Sequence, residues 1–138
     1  MELNLKYPPV PANAPKFAVD ITAAAAKISG VQLDYSVASL QAVDDIIEGL
    51  RRDGCTSSQV GETLFGFGCY VGEVFVRHAG GRWRSGKESA HGVFHDAPLM
   101  VELANGKWCN PVGKVFKRLD AGAENSLPYF YRVFAIEA

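Results

Sequence analysis

The sequence predicts an α+β fold in which helices pack on a small, about three-stranded antiparallel sheet. Three observations carry this. Val37, Leu40, Val43, Ile47 and Leu50 recur at three- and four-residue steps, which is the stripe of an amphipathic helix. The stretch from about Gln59 to about Ala79 is apolar nearly all round, as the central helix of a domain is. Asn105-Gly106 separates the apolar runs LMVEL and KWCN, a strong short hairpin signal. With 138 residues, 48% of them hydrophobic, the chain is the size of one domain with one core.

Taken in order, residues 1–16 read as a proline-rich N-terminal arm. Residues 17–138 read as a single α+β domain. A first helix is expected over 17–29, rich in alanine and stopped by Gly30. The second starts at Ser36 as N-cap and ends at Gly54, with Asp44, Asp45 and Glu48 on the side away from its apolar stripe. Ser57 or Ser58 caps the third, and Gly80-Gly81 stops it. Trp83 lies in a short strand, residues 85–98 form an exposed loop, and the hairpin follows, with both turn residues at positive φ. Asn110-Pro111 opens a fourth helix with Val112, Val115, Phe116 and Leu119 on one face and Lys114, Lys117 and Arg118 turned away. Asn125 or Ser126 caps the last, which buries Leu127, Phe130, Tyr131 and Phe134.

Composition excludes several functions. The net charge is −1, so strong non-specific nucleic-acid binding is not expected. The charge is uneven: residues 1–75 carry five Lys/Arg and nine Asp/Glu (−4), and residues 76–138 carry nine and six (+3). That imbalance reads as two solvated faces of different sign, or as one surface that suits an acidic partner. No apolar run is long enough to span a membrane, and the start lacks a signal-peptide pattern. Cys55, Cys69 and Cys109 are odd in number and far apart, which favours reduced thiols in a cytoplasmic protein.

The motifs weigh against cofactor chemistry. Gly66, Gly68 and Gly72 have G-x-G-x-x-x-G spacing inside a helical pattern, not the G-x-G-x-x-G of a dinucleotide site opening a helix after a strand. They read as places where a neighbour packs closely. Glu73 stands on the most apolar helix, one turn before Arg77, and the bland reading is an intrahelical ion pair at the core's edge. Glu62 lies eleven residues earlier, about 16 Å along the axis, too far to share a reaction centre. His91 and His95 have a helical metal spacing, but Gly92 and Pro98 mark a loop. No catalytic residue, cofactor or metal site is assigned.

The segments LDYSVASLQAVDDII, GCYVGEVFVRHAGGRW and NPVGKVFKRLDAGAENSLPYFY, with the short hairpin, resemble a scattered family of small bacterial proteins of unknown function. The resemblance covers most of the chain from Leu33 onward. Its motifs are structural, and it brings no catalytic residues. Small single-domain proteins of this sort resemble, by loose analogy, immunity proteins that neutralise a bacterial toxin.

Two functions are therefore expected from the sequence. The first is a non-catalytic cytoplasmic protein-binding domain, such as an immunity protein, with Asp44, Asp45 and Glu48 as the candidate interaction face. The alternative is a small enzyme or ligand-binding domain with a cleft around Glu73, Arg77 and Trp83.

Overall fold

The structure, a computed structural model, describes residues 3–137. Its elements are α1 (Ala14–Ser29), α2 (Ser39–Arg52), α3 (Ser57–His78), β1 (Arg82–Arg84), β2 (Met100–Glu102), β3 (Trp108–Cys109), α4 (Pro111–Ala121) and α5 (Leu127–Tyr131). A single π-helical turn, Arg132–Ile136, continues α5. The strands form one antiparallel sheet in the order β1-β2-β3, with Trp83 opposite Val101 and Val101 opposite Cys109. The α+β architecture is the one the sequence predicts.

α3 is the axis of the molecule because its apolar surface goes almost all the way round. Leu64, Tyr70, Val71, Val74 and Phe75 are fully buried. On a transfer scale each such apolar side chain contributes about 1.5 to 3 kcal/mol. The helix lies between α1 and α4, and its glycines set both approaches. A Cβ on Gly66 would stand 3.0 Å from the Cβ of Ile21 on α1, and one on Gly68 only 2.5 Å from the Cα of Val112 on α4. Gly68 thus lets two helix backbones meet, which is the packing role its spacing implied.

Several boundaries differ from expectation for local reasons. α1 begins at Ala14, three residues early, because Pro15 sits in the first turn, where its missing N–H has no intrahelical partner to lose. The arm before it is docked. Leu3, Leu5 and Tyr7 pack on the core, the Asn4 N–H donates to Glu62 Oε2 at 3.0 Å, and the Tyr7 hydroxyl donates to Asp20 Oδ2 at 2.9 Å. α3 is capped by Thr56, not Ser57 or Ser58. Thr56 and Gln59 form a reciprocal capping box, which satisfies two backbone donors at once. Ser36 does accept from the Ser39 N–H at 3.1 Å, but one tight turn precedes the regular part of α2.

The hairpin is present with a different turn. Only Gly106 has positive φ (88°), and Leu103 accepts from the Gly106 N–H while donating to the Lys107 carbonyl. The connection is Ala104-Asn105-Gly106, a three-residue loop with glycine in the left-handed position. Asn105 is freed to donate to the Phe134 carbonyl at 2.9 Å, and Lys107 Nζ donates to the carbonyls of Val133 and Glu137. The sheet tip therefore holds the C-terminal end of the chain.

Arg118 is the largest departure. The sequence places it on a solvated strip with Lys114 and Lys117, but it is 3% exposed and points at α2. Its Nε donates to Asp44 Oδ1 at 2.9 Å and its Nη1 to Glu48 Oε1 at 2.9 Å. A buried guanidinium is tolerated when its donors are met by carboxylates. Part of the charge imbalance between the two halves of the sequence is thus neutralised inside the molecule.

Candidate functional site

The Glu73 region follows from one missing side chain. Gly72 leaves a bare strip on α3, and the Trp83 indole of β1 lies on it: a Cβ at Gly72 would come 2.0 Å from the ring. The indole Nε1–H then reaches Glu73 Oε2 at 2.8 Å. Glu73 is 7% exposed, covered by the tryptophan that satisfies it. Arg77 does not join them, since no ion pair within 4.0 Å links it to Glu73 among the described residues. Its guanidinium instead stacks on the Tyr35 ring at 3.6 Å. Glu73, Arg77 and Trp83 are neighbours in sequence and fold, but they do not converge on an open cleft.

Arg77 belongs to a latch that ties the 30–38 connection to α3. Tyr35 adopts φ 64°, a conformation that side chains rarely take, and three contacts besides Arg77 hold it there. Its ring stacks on Tyr70 with centroids 4.8 Å apart, its N–H donates to the Tyr70 hydroxyl at 2.8 Å, and its carbonyl accepts from His78 Nε2 at 2.9 Å. Ser39 Oγ donates to the Ser36 carbonyl at 2.6 Å. That leaves Tyr70 to donate to Ser39 Oγ, also at 2.6 Å, so every proton in the chain is placed.

The acidic residues of α2 do not form one open face. Asp44 is 7% exposed and holds both Arg118 and the Leu127 N–H, the latter at 2.9 Å. Glu48 is shared among Arg118, Arg51 and Arg52. These hydrogen bonds, Arg118 first and Arg52 next, hold the Glu48 carboxyl below the usual range. Asp45 is exposed and accepts from Gln41. Helical spacing distinguishes the two sides of α2, but it could not show that α4 covers part of the polar one.

His91 and His95 lie exposed in the 85–98 loop, with His95 Nδ1 3.4 Å from Asp96. No group of three or more His, Cys, Asp or Glu side chains is placed to hold a metal ion among the described residues. Cys69 and Cys109 are buried, and burial pushes both thiols up to about 12, with the Glu73 charge adding at Cys69. Neither is a thiolate nucleophile near neutral pH.

A different surface gathers exposed apolar groups. Val37 before α2, Tyr129 on α5 and Ile136 at the end of the π turn are 37%, 51% and 67% exposed. They border one shallow hollow of about 410 Å³ together with Pro128 and Arg132. The Arg132 guanidinium sits 5.1 Å from the Tyr129 ring centre and pairs with Glu137 at 3.0 Å. Tyr129 is a large amphipathic side chain of the kind that anchors interfaces. Arg132 and Ile136 follow it at three and seven residues, a helical signal for one face that the buried pattern of Phe130 and Tyr131 hid. Val37, placed in the α2 stripe by its spacing, belongs instead to the turn before it.

The chain matches no protein-family model, no curated protein and no solved structure. Among the described residues no helix is long and apolar enough to cross a membrane.

Proposed function

We propose that the chain is a non-catalytic protein-binding domain that engages its partner through the hollow between Val37, Tyr129 and Ile136. The observation that carries this is the gathering of those exposed apolar side chains around the Tyr129–Arg132 pair. Tyrosine and arginine are the residue types that anchor interfaces, and here the charge of Arg132 is already balanced by Glu137. An apolar, aromatic-seeking partner surface fits such a hollow better than a strongly charged one. A toxin-neutralising immunity protein acting in the bacterial cytoplasm is the specific form of this reading, and its partner is then the toxin. The alternative, an enzyme or ligand-binding domain worked from Glu73, Arg77 and Trp83, is weakened by the indole that covers the carboxylate.

The test is capture of a partner from host lysate, at low salt and at about 0.5 M, where charge interactions beyond a few ångströms are screened. The expected result is one protein retained at both salts by the wild type and lost with Tyr129→Ala/Ile136→Asp. Retention by that double variant, or the absence of any retained protein, overturns the reading.

A further inference from the structure

We propose that the trough between the hairpin, α4 and α5 is a binding site for a small organic acid with a flat apolar body and a single carboxylate. It is separate from the hollow above and lies on the other side of α5. The trough has a volume of about 340 Å³, within the range of small-molecule sites.

Its walls are aromatic. Phe130 and Phe134 of the α5 segment form one side, with centroids 5.2 Å apart. Trp108 and Phe94 form the other, stacked at 6.3 Å and 18°. Phe94 arrives there because the 85–97 loop folds on itself. The Gly86 N–H donates to the Ala97 carbonyl, the Ser89 hydroxyl donates to the Gly86 carbonyl at 2.6 Å, and the Phe94 N–H donates to the Ser89 oxygen at 2.9 Å. Met100, 1% exposed, lies at the base. Rings placed this way accept a flat apolar body by offset stacking.

The polar end is positive. Lys114 and Lys117 line the trough, three residues apart on α4, and no Asp or Glu lines it. Neither lysine has a carboxylate within 4.0 Å among the described residues. Lys114 Nζ donates one proton to Asn125 Oδ1 at 3.0 Å and keeps two for another acceptor. It lies 5.7 Å from the Phe130 ring centre, so its charge stands at the margin of the apolar wall. Burial, and then Lys117, hold its ammonium below the ordinary lysine range, a sign of a cation short of counter-charge. Asn110 also lines the trough. Its Oδ1 is taken by the Gly113 N–H, which leaves Nδ2 facing no partner among the described residues. Two ammonium groups and an amide donor beside an aromatic trough are complementary to a carboxylate on an apolar body.

The probe is naphthalene-2-carboxylate, with neutral naphthalene-2-carboxamide as its uncharged counterpart, followed by backbone amide NMR shifts. The carboxylate is expected to bind about tenfold or more tightly than the carboxamide, the effect of a charge-assisted hydrogen bond. Shifts should concentrate at Trp108, Gly113, Lys114 and Phe130. Lys114→Gln/Lys117→Gln should remove the preference while leaving the spectrum otherwise folded. Equal binding of the two probes, a preference that survives the double substitution, shifts centred elsewhere, or no binding of either at about 1 mM each overturns the proposal. None of these outcomes depends on Tyr129 or Ile136, so failure here leaves the protein-binding reading standing.

Discussion

The Arg118 guanidinium on α4 reaches the Asp44 carboxylate on α2, with Nε 2.9 Å from Oδ1, and the same oxygen accepts the Leu127 N–H that begins α5. One carboxylate of α2 thus joins two helices that follow it by 74 and 83 residues at the points of contact. Removing one partner strands the other in a low-dielectric site, at a cost of about 3 to 5 kcal/mol. Asp44→Ala and Arg118→Met should each lower stability by that order, and Asp44→Leu/Arg118→Met by clearly less than their sum. Urea unfolding in a double-mutant cycle measures this, and strict additivity would show that the pair is not coupled.

The Tyr35–Tyr70 latch makes a second expectation. Tyr70→Phe leaves the Tyr35 N–H and Ser39 Oγ without their partner at a position where the backbone is already strained. Stability should fall by about 1 to 3 kcal/mol, with faster hydrogen exchange confined to residues 33–39. A variant as stable as the wild type would mean that water replaces the hydroxyl at no loss.

Alanine substitutions at glycine should differ in sign. Gly49 in α2 has nothing within 4 Å of an added Cβ, so Gly49→Ala should stabilise by up to about 1 kcal/mol through helix propensity. At Gly68 the same methyl meets the α4 backbone at 2.5 Å, so Gly68→Ala should destabilise by about 1 to 3 kcal/mol despite the same propensity gain. Thermal midpoints of the two variants, read side by side, decide it. A shift of the same sign in both would contradict the close crossing of α3 and α4.

Alkaline pH should unfold the protein through its buried thiols. Burial raises Cys69 and Cys109 from 9.0 to about 12. A raised folded value means the stabilisation is complete below pH 9 and is lost as pH climbs toward 12. The slope is about 1.4 kcal/mol per pH unit for each thiol. Tyr70, also raised by burial, adds to the loss at the upper end. Glu48 acts in the opposite limb: its depressed carboxyl loses its contribution as pH falls through that lowered value. Denaturant midpoints between pH 8 and pH 11 should fall steeply in the wild type and flatten in Cys69→Ala/Cys109→Ala. An unchanged slope would place the alkaline transition elsewhere. At pH 8 a thiol reagent should modify half-buried Cys55 well before the other two.

The sequence by itself determined the local features of this protein. Apolar periodicity located the helices, Asn110-Pro111 opened α4, the cap of α5 was narrowed to Asn125 or Ser126, and the glycines of α3 marked close approach, because each signal lies within a turn or two. It determined the three-stranded antiparallel sheet through short apolar runs and Asn105-Gly106, though not the turn, where Gly106 alone takes positive φ and Asn105 donates to the distant Phe134 carbonyl. Only tertiary structure decided which polar groups stay in water. A helical wheel puts Asp44 and Arg118 on polar faces, yet α2 and α4 meet there and bury them together. Glu73 finds Trp83, not Arg77, because Gly72 lets a strand's indole lie on the helix. The Tyr129 hollow and the Lys114 trough are products of the same rule: local spacing aligns Tyr129 with Arg132 and Ile136, and Lys114 with Lys117, but only the meeting of elements distant in sequence brings Val37 to the one and Phe94 to the other.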